Sequence, residues 1–178
     1  MTQSFPLSNR SLSLSAAIAV TASLAGCSKP ETTGPAHTGF EAIAAACSQF
    51  LATRQPFVLA GVAGDWTLTG YSPALLQPEV TRTDSTLTPY VGKLVIKDNE
   101  ALAHAPNEAA ARATTLTPAH VLSNRTHTFV YSFDGQQWRW QNGQRLTKIP
   151  GQNDRLEAVT LAEVSAAGPA GFAACLPR

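Results

Sequence analysis

The chain has 178 residues, with 13 Lys and Arg against 12 Asp and Glu and a hydrophobic content of 44%. This near-balance argues against the clustered basic surface that a nucleic-acid partner needs, and against a polybasic patch for anionic lipid. The length suits a single compact domain, with no internal repeat, once a leader is set aside.

Arg10 precedes an apolar segment from Leu12 to Leu24, which closes in Ser23-Leu24-Ala25-Gly26-Cys27. A charged start, an apolar middle and a small-residue end form the pattern of a secretory signal. The segment is too short, and too rich in Ser and Thr, for a transmembrane helix of about 20 apolar residues. The run Leu24-Ala25-Gly26-Cys27 resembles the lipobox of bacterial lipoproteins, cut by signal peptidase II. That resemblance implies removal of residues 1–26, diacylation of the Cys27 thiol and acylation, of the palmitate kind, at its new amino group. It further implies that Ser28, where an Asp would retain the protein at the inner membrane under the enterobacterial rule, permits transfer to the outer membrane. Residues 1–26 carry Arg10 and no acidic side chain, so the remaining 152 residues hold 12 basic and 12 acidic groups. Attachment is therefore expected through acyl chains, at about 0.8 kcal/mol per buried methylene.

With Cys27 assigned to lipid, Cys47 and Cys175 form the one remaining pair. In an oxidising compartment they are expected to be bonded, joining the two ends of the domain; two separate buried thiols are the alternative. No His or Cys lies at ligand spacing with either thiol, and no metal site or cofactor is expected.

Residues 27–38 read as the lipidated Cys and a flexible polar tether with two prolines, and 39–178 as a single globular α+β domain. A helix is predicted from about Gly39 to Arg54, with Phe40, Ile43, Ala44, Cys47, Phe50 and Leu51 on one face. Thr38 and Glu41 have capping-box spacing, and Pro56 ends the helix. Strand patterns follow at Phe57-Val58-Leu59, at Asp65 to Tyr71 and at Tyr90 to Ile96, where Gly92 signals a bulge or close packing.

Phe129, Tyr131 and Phe133 alternate with smaller residues, Asp134-Gly135 is a hairpin turn, and Trp138 and Trp140 alternate beyond it. A hairpin centred on that turn sets Tyr131 opposite Trp138 and Phe129 opposite Trp140, with all five aromatics on one face. Asn142-Gly143 is read as a second turn leading to a third strand, Arg145 to Ile149. Pro106 to Thr114 reads as a short surface helix, and Asp154 to Ala166 as either helix or strand, with helix slightly favoured.

Motifs for chemistry are thin. Gly70-Tyr71-Ser72-Pro73-Ala74 is similar to a nucleophile elbow in spacing, but Pro73 favours a turn and the domain is too short for the sheet an elbow needs. Thr83-Asp84-Ser85 reads as a turn cap or as the mouth of a ligand site, with the turn the simpler assignment. His37 falls in the tether, His104 and His120 in loop-like stretches, and His127 on the face of Phe129; each reads as a structural or surface histidine. The aromatic face either buries against the first helix or leaves an apolar pocket bounded by Tyr131, Trp138 and Trp140.

The expected fold is an N-terminal helix packed on a curved antiparallel sheet with a C-terminal aromatic β-meander. In outline it resembles the cystatin-like and NTF2-like folds over about residues 39–149, a likeness that selects no function. The expected protein is a lipid-anchored envelope component, facing the periplasm from the outer membrane and acting as a non-catalytic structural or interaction module. It is held to the membrane by its anchor and has a possible envelope-protein partner. A small apolar-ligand binding domain is the alternative, and an enzyme of unknown reaction the third reading.

Overall fold

A computed structural model describes residues 34–178; the lipobox, Cys27 and Ser28 lie outside the described residues. The chain is α+β, as its pattern predicts, with an N-terminal helix and a seven-stranded antiparallel sheet that does not close into a barrel. The elements run α1 (Pro35–Thr53), β1 (Phe57–Ala60), β2 (Trp66–Tyr71), β3 (Leu75–Arg82), β4 (Tyr90–Ala105), α2 (Glu108–Ala113), β5 (Val121–Phe133), β6 (Trp138–Lys148), β7 (Arg155–Val159) and α3 (Leu161–Ser165).

Helix α1 begins before the expected Gly39, inside the stretch assigned to the tether. Pro35 opens it, its fixed φ suited to a first helical position, and the Thr38 amide already donates to the Gly34 carbonyl at 3.2 Å. Thr38 is therefore helical rather than a cap, and the predicted capping box with Glu41 does not form. His37 likewise sits on the helix, edge-on to Tyr90, instead of in a tether. The predicted stripe holds in the main: Phe40, Ile43, Ala44, Cys47 and Leu51 are buried, and Phe50 is half-buried.

Strand β4 organises the sheet. Along one edge it pairs with β5 over nearly its whole length; along the other, its first half pairs with β3 and its second half with β2. Beyond β5 the order continues through β6 to β7, and beyond β2 to β1. The meander is thus β5-β6-β7. Asn142-Gly143 is not a turn, because β6 runs straight through it. Gly143 is needed there for packing: a Cβ would lie 3.0 Å from the Phe129 ring. The hairpin loop spans four residues, so Phe133 pairs with Trp138 and Tyr131 with Trp140, two residues from the expected register. Between Val130 and Tyr131 the register shifts, leaving Gln141 as an extra residue on β6. The five aromatics share one face as expected, with four buried and Trp140 packed beside them.

The segment Asp154 to Ala166 holds both structures that competed for it. Arg155–Val159 is a strand and Leu161–Ser165 a helix, separated by Thr160, whose hydroxyl accepts from the Glu163 amide in a capping box. Within Pro106 to Thr114, Glu108–Ala113 forms α2, capped by Asn107. Thr83 and Ser85 brace the β3–β4 loop through their hydroxyls, which fits the turn assignment. Ser72 exchanges hydrogen bonds with the Asn99 backbone at 2.9 Å in the β2–β3 turn, so its hydroxyl is spent on structure.

Helix α1 lies across the aromatic end of the sheet. Phe40 inserts against Tyr131 and Trp138, with ring centroids 5.4 and 4.9 Å apart, and takes the space above Gly92 that any Cβ would occupy. The Trp138 indole donates to the Ala36 carbonyl at 2.9 Å. Cys47 and Cys175 are bonded, with Cα atoms 4.3 Å apart, just below the usual range of about 4.4–6.8 Å. The bond ties α1 to the 3₁₀ turn Ala173–Cys175, and the Tyr131 hydroxyl donates to the Cys175 carbonyl at 2.8 Å beneath it.

The cross-link closes a separation of 128 residues, for which the chain-entropy model gives about 4–5 kcal/mol. Cys175→Ser is expected to lower stability by a few kcal/mol in urea denaturation and to loosen the C-terminal segment. Alkylation of denatured, unreduced protein is expected to leave Cys47 and Cys175 unmodified; modification of both would show that they are free.

Candidate functional site

The inner face of the sheet, the one that α1 covers, can be followed in rows across paired strands. The first rows are aromatic: Tyr90, Phe133 and Trp138, then Gly92, Tyr131 and Trp140. Next comes an apolar row of Leu94, Phe129, Gly143 and Val159. The face then changes character. Ile96, His127, Arg145 and Glu157 form one row, and Asp98, Arg125, Thr147 and Arg155 the next. Glu100 and Ser123 complete the edge. Strand alternation turns all these side chains inward, so one continuous surface passes from dry to charged.

Asp98 is the centre of the charged half. Its carboxylate has no exposed surface and receives Arg125 in a fork, Nε at 2.9 Å and Nη2 at 2.8 Å. Arg54, one residue past α1 and in phase with Cys47 and Leu51, donates to the same carboxylate at 2.5 Å. Burial alone would raise the Asp98 pKa, but the hydrogen bonds and charge of Arg125, then of Arg54, outweigh it and hold the carboxyl below its ordinary value. Asp98 has the same effect on Arg125, keeping that guanidinium charged against the cost of burial. The Tyr71 ring lies against both guanidiniums, 3.9 Å from Arg54 and 4.2 Å from Arg125. Two nitrogens of Arg54, Nε and Nη1, are buried without a protein partner.

Towards β7 the charges open to solvent. Glu157 takes Arg145 on one oxygen and Arg155 on the other, each at 3.0 Å. Glu100 lies at longer range, 3.4 Å from Arg125 and 3.3 Å from the Ser123 hydroxyl. Ser123, Arg125, Arg145, Thr147, Ile149 and Arg155 line most of a groove of about 290 Å³ there, with Glu100 and Leu122.

His127 sits at the boundary between the halves. It is 2% exposed, packed 4.6 Å from Phe172, and neither ring nitrogen has a hydrogen-bond partner. It is therefore a buried but unsatisfied histidine, unlike the structural or surface histidine its strand position suggests. Burial, then the nearby Arg125 charge, pushes its pKa down to about 3, so it is neutral in the fold. His104 is exposed on β4, not in a loop, and His120 caps the Thr117 turn through Nδ1. The four histidines do not converge, and among the described residues there is no group of three His, Cys, Asp or Glu placed to hold a metal ion.

Of the aromatics proposed to bound a ligand pocket, Tyr131 is fully buried and committed to Cys175, and Trp140 packs beside the core. Trp138 alone lines a groove, of about 380 Å³, which runs along the small residues Gly39, Ala42 and Ala46 of α1. The charged half leaves only a faint trace in the sequence. Asp98 is in phase with Leu94 and Ile96, and Arg125 with His127 and Phe129, so each puts a charge at an inward position. No family model, curated protein or solved structure matches the chain.

The neutral state of His127 gives a direct pH prediction. Its folded pKa is depressed below 6.5, so the unfolded chain binds a proton that the fold refuses. The contribution is complete above about pH 6.5 and is lost as pH falls toward 3, with a slope of at most about 1.4 kcal/mol per pH unit. His127→Phe is expected to flatten the stability curve between pH 6 and 4, relative to the unsubstituted chain, in denaturant titrations at a series of pH values.

Proposed function

We propose that the chain is a lipid-anchored domain of the bacterial cell envelope, acting at the periplasmic face of the outer membrane as a non-catalytic structural or interaction module. The observation that carries this reading is Leu24-Ala25-Gly26-Cys27 at the end of a charged-then-apolar leader. The Cys47–Cys175 bond supports it, since such cross-links persist in oxidising compartments.

The use of the side chains supports the non-catalytic part. Asp98, Glu100 and Glu157 each accept from arginine and act as cross-links between strands. The hydroxyls of Ser72, Thr83 and Ser85 are engaged in turns. The aromatic face is filled by Phe40, which favours a packed core over the alternative of an apolar-ligand cavity beneath Trp138 and Trp140. Among the described residues no helix is long and apolar enough to cross a membrane, so attachment in this reading rests on the lipid at Cys27.

Cys27→Ser is expected to abolish incorporation of a fatty-acid analogue and to leave the leader uncleaved, which metabolic labelling and intact-mass measurement read together. Label retained on the substituted chain would remove the anchor from the account.

A further inference from the structure

We infer that the groove at the β5-β6-β7 end of the inner face binds the carboxylate of a small organic acid. Arg125, Thr147 and Arg155 lie in one row across three strands, and Arg145 lies two residues along β6 from Thr147. Neighbouring strands are about 4.8 Å apart, so Arg125 and Arg155 stand about 10 Å apart with the Thr147 hydroxyl between them. Three guanidiniums therefore converge on a space of about 290 Å³.

The charges that line this space do not cancel: Arg125, Arg145 and Arg155 face it, whereas Arg54, which pairs with Asp98, does not line it. Asp98 is also sealed behind Arg125 with no exposed surface, so of the acids only Glu100 lines the groove beside the three arginines. Asp98 holds Arg125 in a fork, and Glu157 holds Arg145 and Arg155 on its two oxygens. These ties fix the guanidiniums before any ligand arrives, which reduces the ordering cost of binding. They leave other N–H groups of Arg145 and Arg155 to donate, and Thr147 adds a hydroxyl.

The balance selects the class of anion. A monoanion brings one negative charge to the three lining arginines, whereas a phosphate dianion would bring a second up to Glu100. Leu122 and Ile149 in the lining offer an apolar contact for the body of the acid. A carboxylate docked on a guanidinium fork with an apolar group against Ile149 satisfies both parts of the groove. The inference is independent of the anchor and applies to the domain wherever it resides.

Benzoate is the probe. The full chain, purified in detergent and labelled with nitrogen-15, is titrated while the arginine Nε–H resonances are followed. Benzamide, which has the same ring without the charge, controls for partition into detergent. Benzoate is expected to shift resonances of Arg125, Arg145 and Arg155 saturably, and benzamide to leave them in place. Arg155→Gln is expected to weaken benzoate about tenfold, Arg155→Lys less, since it keeps the charge and loses the fork. Arg139→Gln, which removes an arginine paired with Asp134 beside the hairpin loop, should leave the affinity unchanged. The inference is overturned if benzoate and benzamide behave alike, if Arg155→Gln binds as the unsubstituted chain does, or if inorganic phosphate binds more tightly than benzoate. Should Arg155→Gln fail to fold, the comparison of benzoate with benzamide on the unsubstituted chain decides alone.

Discussion

A carboxylate with no exposed surface, held between two guanidiniums, is the constraint around which this domain is arranged. Asp98 lies on the longest strand, Arg125 on its neighbour, and Arg54 at the end of the only long helix among the described residues. Removing an ion from water costs several kcal/mol, and only close geometry with further hydrogen bonds returns that cost. The Arg125 fork supplies the geometry, and the Tyr71 ring packs against both cations. The cluster therefore specifies position as much as it stabilises. Arg54 reaches Asp98 only if α1 ends where it does and lies along the strands as it does.

The two ends of α1 are thereby fixed by different forces. At the N-terminal end, Phe40 fills the gap over Gly92 and the Trp138 indole bonds to Ala36, a contact made by shape and dispersion. At the middle, the Cys47–Cys175 bond and the Tyr131 hydroxyl join the helix, the sheet and the C-terminal turn. At the C-terminal end the contact is ionic. Beyond Arg54 the helix no longer covers the sheet, and the inward residues of β5, β6 and β7 become Arg, Thr, Ser and Glu instead of aromatic and aliphatic groups. The candidate site is the part of the inner face that the helix is too short to cover.

The elements with strong local signals were legible. The apolar stripe of α1, the alternating aromatics of β5 and β6, the Asp134 turn and the pairing of Cys47 with Cys175 all carry their information within a few residues or by elimination of the third cysteine. Strand β3 was not legible, because Pro78 argues against a strand; as β3 pairs only with β4, its other edge is free to tolerate a missing donor. Asn142-Gly143 misled because a turn dipeptide is also what a strand uses when a ring, here Phe129, crowds its surface. The start of α1 is obscured because Thr38 and Glu41 have the right spacing for a cap, while Pro35 falls in a polar stretch that reads as a tether. The charged half was hidden for another reason. Arg54, Asp98 and Arg125 are distant in sequence, and only the register of β4 on β5 brings them to one point.

The ionic cluster is tested most directly by a double-mutant cycle between Arg54 and Asp98, read by urea denaturation with the disulfide intact. Asp98→Asn alone leaves the buried Arg54 guanidinium without a carboxylate partner and Arg125 with only Glu100 at 3.4 Å, and is expected to cost about 3–5 kcal/mol. In an Arg54→Met background one of those cations is gone, and the same Asp98→Asn change is expected to cost at least about 1 kcal/mol less. Costs that add to within about 0.5 kcal/mol would mean that Arg54 and Asp98 act independently, and would contradict a fold positioned by their contact.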